Sequence, residues 1–261
     1  MTRPAICLLP LRFERRALLL MLNEILAAAA ITLFLCLKAA YAGSFAIDPV
    51  RLDLSDSQTS AVIHVQNNGE APITIEARSF LWSQSNGKDQ MTLTRDVIIT
   101  PQIFRMNPGV TQVLRVGALR RPDALQEIAY RLILEEILPP PSPTEKGVRV
   151  ALRISMPLFF RPTSDAKEKI HMAASIESGQ QLKLKLSNSG QAAAHFSEIM
   201  LLDEEDPSKP ITMYTASTYV LPGQERELLL KSRSPNPPKK ILIKARTHTG
   251  PMEFHVVLAS D

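Results

Sequence analysis

The chain lacks most of the groups on which enzymes and small exported domains rely. Its 261 residues include two cysteines, Cys7 and Cys36, both within the first forty-two positions. Once that stretch is removed, no thiol remains. Disulfides, thiolate catalysis and cysteine metal sites are then excluded, and the fold must stand on core burial alone. The histidines, His64, His171, His195, His248 and His255, form no His-x-His pair and no helical pair at metal-ligand spacing. There is no G-x-S-x-G, no phosphate-cradling glycine loop and no dinucleotide fingerprint. Glu135 and Glu136 are neighbours on an extended segment, so they point to opposite faces and cannot act as an acid/base pair. Asp203-Glu204-Glu205-Asp206 beside Pro207 reads as a solvated loop. No enzyme activity, metal or cofactor is expected, and a carbohydrate-active enzyme lacks its carboxylate pair.

What is present begins with an export signal. Arg3, Arg12, Arg15 and Arg16 form a basic head, Ile25 to Leu37 is apolar apart from Thr32, and Ala40-Tyr41-Ala42 precedes Gly43. A charged head, an apolar run too short to span a bilayer comfortably and a small-x-small site predict a cleaved signal peptide over 1–42. An uncleaved anchor is the alternative, disfavoured by that length. A lipoprotein signal at Cys36 would need a small residue where Leu35 stands. The formal charge of the whole chain is +4, but most of the excess leaves with the signal, and with it the case for a nucleic-acid partner. The remainder is expected to be exported, with no stable membrane insertion, and long enough for two domains.

That remainder reads as strands and turns throughout. Phe45 to Leu52 is a first extended candidate. Ala61, Ile63 and Val65 alternate with polar or smaller neighbours, and Ile73, Ile75 and Ala77 resume the period after Asn67-Asn68-Gly69. Further strands are expected at Gln102–Arg105, Thr111–Val116, Tyr130–Ile137 and Val148–Phe160. The prolines from Pro139 to Pro143 demand a loop. A second set follows: Ile170–Ile176, Gln181–Leu186, Phe196–Leu202, Ile211–Thr215, Arg226–Lys231, Ile241–Ala245 and Glu253–Leu258. The predicted fold is all-β, two immunoglobulin-like sandwiches over 43–162 and 163–261, although the Cys–Trp–Cys signature of antibody domains is absent.

The strand after the proline loop alternates most regularly. Val148, Val150, Leu152, Ile154 and Met156 form one face, and Arg149, Ala151, Arg153 and Ser155 the other. Periodicity alone fits two arrangements: a half-buried strand packed into its own domain, or an edge strand whose apolar row is offered to a partner.

Several stretches together resemble the PapD-like periplasmic chaperones of chaperone–usher pilus assembly. They are Phe45 to Leu52, Val65-Gln66-Asn67-Asn68, Pro101 to Gly109 with Gln112 and Arg115, Tyr130-Arg131-Leu132, Glu136 to Pro140, and Leu158-Phe159-Phe160-Arg161-Pro162. The order and spacing match across the first domain; the second fits in size and strand pattern. The resemblance implies donor-strand complementation of pilus subunits, with Val148, Val150 and Leu152, extended by Ile154 and Met156, filling the subunit groove. It implies delivery to an outer-membrane usher and no cofactor. It also implies that Arg51 anchors the subunit's terminal carboxylate. The family's lysine position falls on Pro157, leaving Arg105 or Arg153 to take over, or a different mode of anchoring. Glu136 and Arg161 stand at the places of a charged network between the domains, while its expected aspartate is missing near Thr247-His248. These departures, with Ala77 to Gln84, resemble the archaic, spore-coat-protein-U-like branch. An exposed apolar strand could also be covered by a second copy in a self-capping homo-oligomer. The competing reading is an exported two-sandwich adhesin or structural surface protein in which the strand is simply core.

Overall fold

The computed structural model describes residues 45–119, 125–140, 148–161, 165–177 and 180–260; the expected signal over 1–42 lies outside the described residues. The first half contains β1 (Phe45–Asp48), β2 (Leu52–Ser55), β3 (Ser60–Asn67), β4 (Ile73–Ser85), β5 (Lys88–Leu93), β6 (Val97–Thr100), β7 (Ile103–Met106), β8 (Thr111–Ala118), β9 (Ile128–Glu136) and β10 (Arg153–Arg161). The second contains β11 (Ile170–Ile176), β12 (Gln181–Asn188), β13 (Ala194–Asp203), β14 (Pro210–Tyr214), β15 (Thr218–Val220), β16 (Glu225–Lys231), β17 (Lys240–Thr247), β18 (Gly250–Val257) and β19 (Ala259–Ser260). No helix among the described residues is long and apolar enough to cross a membrane.

Each half is a sandwich. In the first, the sheet β1-β3-β8-β6 faces the sheet β2-β10-β9-β4-β5, with β7 also pairing β4. Alternate side chains from the two sheets meet in one core: Ile63 and Val65 from β3, Ile75 and Ala77 from β4, Leu114 and Val116 from β8, Leu132 and Leu134 from β9, and Met156, Leu158 and Phe160 from β10. In the second, β16-β12-β11-β19 faces β14-β13-β17-β18, with β15 pairing β13, around a core that includes Leu184, Leu186, Phe196, Ile199, Leu201 and Ile243.

The expected first strand, Phe45 to Leu52, is two strands in opposite sheets. β1 pairs β3, whereas β2 pairs β10 in parallel. Pro49 lacks an N–H and stops the first ladder, and the chain crosses the sandwich before pairing again. Two strands carried no sequence signal strong enough to mark them. β5 is exposed at every position, so it has no apolar period, and β6 is only four residues long. The second-half strands fall close to their expected places, with β15 and β19 unforeseen.

Both halves repeat one turn device. The buried Asn67 amide donates to the carbonyls of Ala71 and Met106, and its Oδ1 accepts from the Gly69 N–H. Asn188 does the same toward Ala192, Val220 and Gly190. At Gly190 the backbone of Lys167 to Lys169 comes so close that a Cβ has no room. Gly190→Ala should therefore lower the urea midpoint of unfolding by an amount equivalent to about 1–3 kcal/mol. An unchanged midpoint would mean that the 167–169 segment yields freely.

An interstrand edge and a charged cleft

β10 is covered unevenly. Along its length it pairs β9, from Arg153 opposite Glu135 to Phe160 opposite Ile128. On its other side β2 reaches only Leu158 to Arg161. Arg153 to Pro157 therefore has an open edge. The Glu136 N–H donates to the Leu152 carbonyl, which sets the alternation. Residues 152, 154 and 156 turn their backbone groups to β9, and 153, 155 and 157 turn theirs outward. Pro157 falls on the outward side, where its missing N–H costs the β9 ladder nothing.

Burial divides the expected groove-filling row. Met156 is 1% exposed, in the core of its own sandwich. Ile154 and Leu152 are partly buried against that core. Only Val148 and Val150, 92% and 79% exposed, stand free, and they precede the regular strand. The side chains are alike, but the strand runs off the end of the sandwich. Its core-facing row becomes a solvent-facing row where the opposing sheet stops.

Toward its C-terminal end β10 borders a cleft between the sandwiches, a cavity of about 720 Å³ bounded by Arg51, Arg131, Pro157, Arg161, His195 and His248 among others. Arg51, between β1 and β2, pairs with Asp53 through Nη2 at 2.7 Å and Nε at 2.9 Å. Its guanidinium carbon lies 4.4 Å from the centre of the Phe159 ring. Its Nη1 is buried and makes no hydrogen bond of good geometry, although the Arg51 guanidinium interacts with the Tyr219 hydroxyl. Arg131, directly opposite Pro157 in the β9–β10 register, lies with its guanidinium 3.7 Å over Trp82 and 5.5 Å from the Tyr219 ring centre. Arg131 forms no ion pair among the described residues, and its Nε also lacks a partner. Burial draws the Arg131 pKa below its ordinary value, partly offset by Tyr219 and Asp89. Two guanidiniums lining one cavity and held on aromatic faces can receive a carboxylate or similar anion.

Of the sequence-chosen cations, Arg51 is in this cleft and Arg105 and Arg153 are not. Arg105 lines a separate depression with Glu136, Ile137 and Pro139. Arg153 is 4.0 Å from Glu135 on the exposed face. The unforeseen residue is Arg131, whose signal was a lone charge inside the apolar run of β9.

The charged network also differs from expectation. Glu136 and Arg161 cannot meet, because β9 and β10 are antiparallel and the two residues sit at opposite ends of the pairing. Arg161 instead pairs with Glu127, Nη2 to Oε2 at 2.9 Å, and the other Glu127 oxygen accepts the Ala193 N–H at 2.9 Å. Burial pushes the Glu127 carboxyl above its ordinary value, against the pull of Ala193 and Arg161. The second sandwich contributes a backbone N–H to this network, donated to Glu127.

A second tie lies beside the first, with Gln84 and Glu127 bordering one depression. The Gln84 amide donates to the Tyr219 carbonyl and accepts from the Leu221 N–H. Asp89 receives Trp82 Nε1, Gln84 Nε2 and Arg226 Nη2. Burial alone would raise the Asp89 carboxyl, but these donors outweigh it and hold it below the ordinary range. Trp82, Phe159 and Tyr219 pack together in the contact between the sandwiches, with Trp82 edge-on to Tyr219 at 5.3 Å.

Residues 44–165 match the family model described as pili and flagellar-assembly chaperone, PapD N-terminal domain. The chaperone protein PapD of Escherichia coli is 26% identical over 149 residues, 55% of this chain and 59% of that protein. The chain thus matches little more than half the length of this curated relative. Among solved structures, the CsuC–CsuE chaperone–tip adhesion subunit pre-assembly complex from archaic chaperone-usher Csu pili of Acinetobacter baumannii aligns at TM-score 0.61 and 21% identity, over 83% of this chain and 99% of that one. The SafA pilin–SafB chaperone complex of Salmonella enterica aligns at TM-score 0.58 and 19% identity, over 84% and 99%. These likenesses carry the two-sandwich fold.

Glu127→Ala leaves Arg161 without its buried partner and should destabilise the protein by about 3 kcal/mol, read from chemical denaturation. Because the folded Asp89 is depressed, its contribution is present above the unfolded carboxyl range and lost as pH falls through the folded value. Asp89→Asn should therefore flatten the acid limb of the stability profile; an unaltered limb would remove Asp89 from that role. The chain's N-terminal sandwich is thus similar to the N-terminal domain of the PapD-like pilus-assembly chaperones.

Proposed function

We propose that the chain is a periplasmic, non-enzymatic chaperone that caps pilus subunits by strand addition along β10 and hands them to an outer-membrane usher. The observation that carries this reading is the one-sided pairing of β10, whose open edge leads into the guanidinium cleft. An incomplete subunit sandwich exposes apolar core and unpaired backbone; an added strand supplies hydrogen bonds, and alternate side chains fill pockets. Val148 and Val150 are the free side chains suited to that role, with Leu152 at the boundary. A subunit strand that ends with its carboxylate at Arg51 and Arg131 must run parallel to β10, because β10 itself runs toward the cleft. The two guanidiniums then anchor the terminus and fix the register of the strand. Arg131, opposite Pro157, takes the place that the resemblance gave to a lysine.

The test is co-expression with a small exported subunit encoded beside this gene, followed by co-purification from periplasm. Val150→Glu puts a charge into the subunit groove and should reduce the complex by at least about tenfold, with unchanged unfolding of the free protein. Retention of the complex would show that the β10 extension is not the donor. Arg51→Ala and Arg131→Ala should each lose most of the complex. If both bound the subunit normally, the cleft would not be the anchor.

A further inference from the structure

The second sandwich also contributes to the cleft. His195, the second residue of β13, stacks on Tyr219, ring centres 4.3 Å apart and planes 19° apart, with Nε2 2.9 Å from Ser217 Oγ. His248, in the turn between β17 and β18, lies 6.5 Å from His195, ring centre to ring centre. Both border the cavity that Arg51 and Arg131 also line. By contrast His255 pairs with Glu204 elsewhere, at 2.7 Å.

We propose that His195 and His248 are further anion-binding groups of the anchoring site, contributed by the second sandwich, so that capture of a carboxylate is coupled to proton uptake. The proposal rests on the reading of the cleft as a carboxylate anchor. Its basis is the surplus of cations that the two imidazoles face. Arg51 and Arg131 approach from the first sandwich, with Asp53 partly neutralising Arg51. Arg161 is committed to Glu127. Lys167 and Glu168 border the cavity from the segment before β11, and Glu168 Oε1 accepts the Thr249 hydroxyl at 2.5 Å.

In the empty cleft, burial first, then His248, Arg51 and Arg131, hold His195 below the usual histidine range. Burial and Arg51 do the same to His248, against Glu168 and Asp53. Both imidazoles are therefore largely neutral near neutral pH. A bound carboxylate cancels part of the surrounding positive charge and rewards the imidazolium form. Protons are taken up between the depressed free-state pKa and the higher bound-state pKa, so affinity must rise as pH falls through that window. A peptide's own terminal carboxyl stays ionised throughout, since it titrates near about 3.5.

The probe is a soluble peptide of about ten residues, alternating valine and serine, long enough at ~3.3 Å per residue to run from Val148 to the cleft. It is prepared with a free C-terminal carboxylate and as the carboxamide, and its binding to the exported chain is measured by calorimetry between about pH 7.5 and 5.5. The free acid should bind more tightly than the amide, and its advantage should grow by about three- to tenfold as the pH falls. In His195→Gln/His248→Gln the advantage should persist near neutral pH but lose that growth, whereas His255→Gln should retain it. NMR titration of the imidazole C–H signals in the unmutated chain should show both pKa values raised by the free acid and not by the amide. A free-acid advantage that is independent of pH, or imidazoles unmoved by the peptide, overturns the proton coupling and leaves the anchor standing. No free-acid advantage at any pH overturns the anchor and this inference with it.

Discussion

The structure turns on a strand that is paired on only one side for half its length. β10 is held by β9 throughout, but β2 covers it only from Leu158 onward. An open edge of this kind invites aggregation, and proteins usually blunt it with charge, proline or cover. Here Arg149 and Arg153 place charge along the edge, and Pro157 removes one outward donor. The protection is partial, since Val148 and Val150 remain in solvent just beyond it. That combination gives an edge that is charged and interrupted by proline but not covered by another strand of the described residues.

The cleft at the end of that edge depends on a different compensation. Burying a guanidinium is costly unless something replaces its water. Arg51 receives Asp53 and the face of Phe159; Arg131 receives the faces of Trp82 and Tyr219. Aromatic faces stabilise the cation without consuming all of its hydrogen-bond donors. The guanidiniums can therefore be fixed in place and still have N–H groups left for an incoming anion. The same aromatic residues fill the contact between the sandwiches, so the packing that sets their relation also aims the cations.

Two neighbouring polar ties accompany this aromatic contact. Arg161 and Glu127 reach the Ala193 backbone, and Gln84 and Asp89 reach Tyr219, Leu221 and Arg226. Both use one buried side chain to satisfy backbone or charged groups of the other sandwich. Their placement makes rigid-body movement costly, because it would leave buried donors and acceptors unmatched.

Much of the architecture was legible in the amino-acid order. Period-two alternation marks the strands, Asn67-Asn68-Gly69 and Asn188-Ser189-Gly190 mark the turns, and the stretches from Phe45 to Pro162 carry the family likeness. The alternating row from Val148 to Met156 was also plain, as was the candidacy of Arg51. The sequence could not say where along that row burial ends, because alternation is identical on either side of the sandwich's rim. Nor could it pair Arg161 with Glu127 rather than Glu136, or bring Arg131 opposite Pro157, since both follow from antiparallel register. The chain order determined which residues form the strand; only the tertiary packing decided which of its side chains remain free, because that depends on where the opposing sheet stops.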